Sequence, residues 1–449
     1  MKRNIFKIIL NIFLVQMSLS GCEEFLDVKP NLNLEVPEDI ESVQAILDAE
    51  SRINVSTALD IMAADEYYLL PEIHDNLDLM YQSLHIWDMD PEIYLNGSTN
   101  DWNRPYQIIF AANFCISQLD KIGRNPSNLD LWDNLKGRSF FVRAHAFADL
   151  VKQFAPQYDP ATAQHILAVP MPLEADVNSI LDFGNLLEVY DQILLDIENS
   201  LSLLPELPRL RSQPSKAAAY GLQARVFLMM KDYPKALEAS ENALAIQNTL
   251  LDFSTLNPQS NYPVPRGNGE VIYHTLGATY SGMTFSAETR IDPDLFNMYH
   301  FDDLRRGIYF FSRPQGQINF KGSFNTGHQY FTGITVGEML LTKAECAFRG
   351  GDSMKAEDAI NTFLESRFKK GSFTPVSLNS LENPLKFLLD ERKKELLFRG
   401  RRWADIKRLT GDSGYKMEIK RVLGDRVYTL PDDPMMQVLP VPPNEFANR

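Results

Sequence analysis

Residues 336–367, VGEMLLTKAECAFRGGDSMKAEDAINTFLESR, decide the fold. Leu340, Ala344, Ala347 and Phe348 recur at helical spacing, and Ala356, Ala359, Ile360 and Phe363 do so after a break. The spacing predicts two amphipathic helices. Between them, Arg349-Gly350-Gly351-Asp352-Ser353 stops one helix and starts the next. The glycines supply a C-cap, and Asp352 or Ser353 supplies an N-cap. Alanines on both apolar faces let the two backbones approach closely. A pair this small cannot bury its own apolar face, so it implies stacked neighbours.

A neighbour of the same plan lies upstream, at residues 216–247, KAAAYGLQARVFLMMKDYPKALEASENALAIQ. Tyr220, Ala224 and Phe227 line its first helix, and Ala236, Ser240 and Ala243 its second. Ala224 and Ala236 are twelve residues apart, as are Ala344 and Ala356, and Asp232 takes the place of Asp352. The pattern resembles the tetratricopeptide repeat, with small residues at the helix contact, though the usual Gly and closing Pro are absent. The expectation is a mostly α fold: a tetratricopeptide-like scaffold with long irregular loop insertions and a few short β-strands.

The start of the chain reads as a secretion leader. Lys2, Arg3 and Lys7 precede an apolar run from Ile8 to Leu19. That run is shorter than the roughly 20 residues a membrane-spanning helix needs. It ends in Leu19-Ser20-Gly21-Cys22, similar to a bacterial lipobox, in which the cysteine is acylated and becomes the mature N-terminus. Glu23 and Glu24 resemble the surface-export signal of some Gram-negative lipoproteins. The expected organisation is a leader at 1–21, a lipidated tether at 22–37, and one helical domain at 38–449. That domain carries loop insertions at about 55–100 and 251–334.

Composition narrows the partners. Loss of the leader takes the net charge from −15 to −18, which disfavours nucleic acid bound through phosphates. Cys115 and Cys346 sit in apolar helical contexts and read as buried thiols rather than a disulfide.

Along the chain, residues 38–51 predict a helix capped by Asp39, and 60–100 read as irregular structure dense in aromatics. Helices are predicted at 101–121, 134–154 and 185–204. Asn113 falls within an apolar stripe and needs buried partners. Arg143 reads as half of an internal ion pair or as a donor to loop carbonyls, not as chemistry. Residues 251–334 form a second irregular block with β-like runs, 384–409 read as one or two helices, and the tail holds short β-like pieces.

Several stretches, in order, resemble the SusD/RagB family of outer-membrane nutrient-binding lipoproteins. They are CEEFLDVKP, WNRPYQIIFAANFCI, RSFFVRAHAFADLVKQF, the opening stretch, ERKKELLFRGRRWADIKRL and LPVPPNEF. The chain departs from the family pattern at Arg399, where an acidic residue is usual, and at Ala155-Pro156-Gln157. It departs again where a pair of arginines is reduced to Arg367. The resemblance implies helical pairs with a loop-built ligand site. It also implies capture of a glycan, or less often a peptide, for a SusC-like TonB-dependent β-barrel transporter.

No catalytic, cofactor or metal motif stands out, and no cofactor or metal is expected. Asp88, Asp90 and Glu92 alternate like part of a calcium loop, but Ile93 occupies the glycine position. In the segment around Glu391, Glu395 and Asp405, arginines lie at i,i+4 reach, which reads as structural charge pairing, with Trp403 beside an arginine. Sugar capture asks for aromatic faces and polar side chains together. The candidates are Tyr67, Tyr68, Tyr81, Trp87 and Tyr94 in the first block, and Tyr280 and Phe285 in the second. For each ring the plainer reading is a core aromatic. The competing readings are a surface glycoside hydrolase, which would show paired carboxylates in a cleft, and a repeat protein that only docks other proteins.

Overall fold

The computed structural model describes residues 39–95, 97–176, 182–280, 288–415 and 417–447. The expected leader, Cys22 and the tether lie outside the described residues. The first helix, α1 (Ile40–Leu47), is capped as expected: the Asp39 carboxylate accepts from the Ser42 N–H at 2.7 Å. Among the helices that follow, those that build the array are α2 (Asn100–Ile122), α3 (Leu129–Phe154), α4 (Leu186–Leu203), α5 (Lys216–Met229), α6 (Tyr233–Ile246), α7 (Val336–Arg349) and α8 (Ser353–Glu365). From α2 to α8, each packs against the next. That is the stacking the two quoted hairpins imply. Helix α6 rests on α7 although residues 247–335 leave and re-enter the array between them.

The reason for the close approach is as read. Ala224, Ala236, Ala344 and Ala356 are all fully buried, and Asp232 and Asp352 cap α6 and α8 by accepting from Lys235 and Lys355 N–H groups. Ala344→Leu is expected to destabilise the fold by about 1–3 kcal/mol through overpacking. Met354→Ala, at an 82 % exposed position, stays within about 0.5 kcal/mol. Urea denaturation of both variants checks this.

The buried polar residues behave as predicted. Arg143 makes two 2.7 Å bonds to Asp196 and a third, at 2.8 Å, to the Asn113 carbonyl oxygen. The Asn113 amide donates to the backbone of Pro172 and Glu174. Cys115 and Cys346 are buried free thiols.

Two boundaries differ from expectation. Helix α3 begins at Leu129, because Trp132 packs on α2 and donates its indole N–H to Leu119. The block at 60–100 is not wholly irregular: it holds short helices at Leu59–Ala63, Pro71–His74 and Leu79–Ile86 and a 3-10 turn at Pro91–Tyr94. Leu59–Ala63, Pro71–His74 and Pro91–Tyr94 span too few residues to show helical periodicity.

Beyond the array come α9 (Pro384–Glu395), against α7, and α10 (Arg402–Leu409). The charges here are structural, but mostly not through i,i+4 pairs. Arg402 pairs with Asp65, Arg408 with Glu345, Glu391 with Arg305 and Glu395 with Arg367; Arg399–Glu395 is a pair four residues apart. The reason is a sharp turn. Phe398 (φ 54°) and Gly400 (φ 63°) are left-handed, so the residues on either side of the turn meet different neighbours. Trp403 is fully buried, and among the described residues no cation lies over its ring.

Candidate functional site

The two loop blocks are joined by short ladders. Val55–Ser56 pairs in parallel with Leu276–Gly277, and Tyr67–Tyr68 pairs antiparallel with Arg290–Ile291. The carboxylate of Asp101, at the start of α2, ties the blocks together. It accepts from the N–H groups of Ala58 (2.7 Å) and Leu59 (2.6 Å), from the Gln153 amide (2.7 Å) and from the Tyr280 hydroxyl (2.8 Å). Burial, with the nearby charge of Asp60, pushes its pKa up to about 6 against the pull of these donors. Gln153 also donates to Asp60 at 3.0 Å. Asp60 and Asp101 are both fully buried, so this carboxylate pair is a girder of the fold, not a cleft.

The structure places five of the seven predicted rings in the core. Tyr67, Tyr81, Trp87, Tyr94 and Tyr280 are all at most 8 % exposed. The Arg421 guanidinium lies over Tyr67 (5.1 Å) and Trp87 (4.8 Å), and donates to the carbonyls of Met62, Ala64 and His85. The Trp87 indole donates to the Ala63 carbonyl at 2.8 Å. Tyr81 meets Tyr280 edge-on at 6.4 Å, and the Tyr94 hydroxyl donates to Pro440 at 3.0 Å. Chain with little regular structure still needs a core, and these rings supply it by bonding loop carbonyls that no helix or sheet satisfies. Phe285 lies outside the described residues.

Tyr68 is different. In an antiparallel ladder, facing residues share one side of the sheet and the side alternates along the strand. Tyr67 and Ile291 face inward and are buried, so Tyr68 and its partner Arg290 face outward, and both are partly exposed. The Arg290 Nε is buried and has no hydrogen-bond partner among the described residues. The strand Ile318–Phe320 packs alongside. There, the Asn319 side-chain oxygen accepts from Arg313 (2.8 Å) and Gln317 (2.9 Å), and its amide donates to the Thr289 carbonyl. An aromatic ring and a guanidinium thus share one surface, with the buried Asn319 amide bracing the strand beside them. Periodicity gave no sign of Arg290, because a two-residue strand has no period to detect. Among the described residues, no cluster of His, Cys, Asp or Glu has the makings of a metal site.

A stack of helical pairs carrying a loop-built polar and aromatic surface defines a class of binding scaffold. Residues 24–228 match a SusD-like family described as starch-binding and associating with the outer membrane, and residues 312–444 match the SusD family. The chain belongs to the SusD/RagB family. A SusD-like protein P2 of Formosa agariphila is 24% identical over 372 residues, covering 69% of this chain and 71% of that protein. A SusD superfamily protein of Bacteroides thetaiotaomicron superposes with a TM-score of 0.73 at 17% identity, over 91% of this chain and 97% of its own. A surface glycan-binding protein A of Bacteroides uniformis gives 0.65 at 17% identity, over 84% and 90%. Among the described residues no helix is long and apolar enough to cross a membrane.

Proposed function

We propose that this protein captures an oligo- or polysaccharide at the cell surface, held to the outer membrane by lipid on Cys22. It then passes the glycan to a SusC-like TonB-dependent β-barrel transporter. The observation that carries this reading is the outward-facing pair Tyr68 and Arg290. A ring face stacks on sugar C–H surfaces, and the solvent-reaching part of a guanidinium bonds hydroxyls. Both are held by a ladder braced from beneath by Tyr67, Ile291 and Arg421. Family membership supports the glycan as ligand class and the outer membrane as location.

Calorimetry with soluble starch, laminarin, xylan and a peptide mixture, with turnover followed in parallel, tests it. One glycan class is expected to bind without being cleaved. Tyr68→Ala and Arg290→Ala should each weaken that binding about tenfold or more, the loss of one stacking or charge-assisted contact, with little change in melting temperature. Sugar release by the protein alone would favour the hydrolase, and binding confined to peptides would move the ligand class. For the partner, the lipidated chain is expected to co-purify with a β-barrel transporter encoded beside it, and Cys22→Ala to leave the membrane fraction.

A further inference from the structure

We propose that Phe301, with Lys369 and Asp302 at its rim, forms a second carbohydrate-contact surface that grips long glycan chains together with the Tyr68–Arg290 face. This rests on the glycan reading above and adds a site to it. Phe301 is the most exposed aromatic side chain among the described residues, at 70 %. Several other rings of the second loop block are packed away: Tyr299, Tyr309, Phe310 and Phe320 are buried. An open ring in such a region calls for an explanation.

Its surroundings are rigid and polar. The His300 ring lies 4.1 Å from Phe301 and stacks on Phe368 at 6.0 Å; Phe368 in turn meets Phe373 at 5.5 Å. The Lys369 ammonium sits 5.7 Å from the Phe301 ring and bonds Asp302 at 2.9 Å. The segment is tied down through its backbone: Leu304 N–H donates to Arg367 at 2.8 Å and Lys369 N–H to Asp302 at 3.0 Å. Beneath lies the fully buried Arg367. A ring fixed in this way loses little freedom on binding.

Beside it runs a trough along the open side of α8. One part, of about 390 Å³, is lined by Asp252, Ser254, Glu365, Phe368, Lys370 and Phe373. Past Phe373 it continues into a second hollow of about 470 Å³ that reaches Asp358 and Met354. Polar and apolar side chains share the lining of this trough. A protein-docking core would instead be broadly apolar and depleted of charge. One ring rising among carboxylates, ammoniums and hydroxyls is the chemistry that holds a sugar: C–H stacking in the middle, hydroxyl bonding around it. Two such surfaces on one polymer raise retention through effective concentration, without either being strong.

The experiment compares the unaltered chain, Phe301→Ala and Lys369→Ala in native gels cast with soluble starch, laminarin or xylan. The polysaccharide that retards the unaltered chain is expected to retard Phe301→Ala with about fivefold weaker apparent affinity, and Lys369→Ala to be affected in the same direction. A short oligosaccharide of the same glycan should bind Phe301→Ala and the unaltered chain alike. Hydroxyl-radical footprinting should show Phe301 and Met354 protected by the polymer. Phe301→Ala should melt as the unaltered chain does, since its ring is open to solvent. Equal retardation of Phe301→Ala and the unaltered chain, or no protection of Phe301, overturns this inference alone. Retardation by no glycan at all overturns it together with the glycan reading.

Discussion

Arg367→Met is expected to cost the fold about 3–5 kcal/mol, the loss found when one partner of a buried ion pair is removed. Every N–H of the Arg367 guanidinium is in use. It bonds Glu270 (2.6 Å), Glu395 (2.9 and 3.2 Å), the Leu251 carbonyl and the Ser366 hydroxyl, between the rings of Phe253 (4.2 Å) and Phe363 (4.7 Å). It therefore links the end of α8, the second loop block and α9. Methionine keeps much of the volume but leaves buried carboxylates without their cation. Burial alone would raise the Glu395 carboxyl; Arg367, Arg399 and Arg305 outweigh it and hold the pKa below the usual range. A carboxyl depressed in the folded state stabilises above its unfolded pKa and loses that contribution as pH falls. The penalty in Arg367→Met should therefore shrink toward pH 4, where the stranded carboxyl takes up a proton. Urea denaturation of both proteins at pH 7.5 and pH 4.5 measures it. A penalty below about 1 kcal/mol at pH 7.5 would show that Arg367 is not the clamp its bonds suggest.

Glu66→Gln is expected to act in the opposite direction, stabilising the protein by about 4 kcal/mol at pH 8. Glu66 is buried, and its two oxygens lie 3.2 and 3.3 Å from the N–H of Phe398, inside the left-handed turn between α9 and α10. Burial, then the charge of Asp65, pushes its pKa up to about 8, although Arg402 and Lys393 pull the other way. A carboxyl whose folded pKa lies above its unfolded value is held protonated by the fold. Stability therefore declines as pH rises from about 4.5 to about 8, and levels off beyond. Glutamine keeps an acceptor for Phe398 and removes the charge, so the variant should lose this slope. Thermal melts from pH 5 to pH 9 are the check. Parallel curves for the two proteins would mean that Glu66 is already ionised in the fold.

Much of the scaffold could be read from the chain because helices that bury one face repeat their apolar residues at helical spacing. Ala224, Ala236, Ala344 and Ala356, with the capping aspartates, specify the array directly. The loop blocks could not be read in this way. A two-residue strand such as Tyr67–Tyr68 has no period, so which tyrosine faces water depends on pairing with Arg290, more than two hundred residues away. The same holds for Arg421, whose place over Tyr67 and Trp87 joins the tail to the first block. Density of aromatics does not tell an outward-facing ring such as Tyr68 from a core ring. Five became core, while Phe301 passed unremarked among its buried neighbours. Charge pairing around Glu391 was visible as charge; its partners were not, because the turn at Phe398 and Gly400 sends each half of the segment to different elements.

One feature of the array bears on how such a protein can change. Residues 247–335 depart and return at a narrow neck, where Val271–Tyr273 pairs with Ile334–Thr335 and α6 lies against α7. The spine is thus continuous through space where it is interrupted in sequence. Chain added at an open turn such as 314–317 moves neither helix and closes the same gap. The entropy of closing a loop grows only with the logarithm of its length, about 0.6 kcal/mol for each doubling. Turns on this side can be lengthened, shortened or exchanged at small thermodynamic cost. A lineage meeting a new ligand could retool its grip and inherit its backbone unaltered.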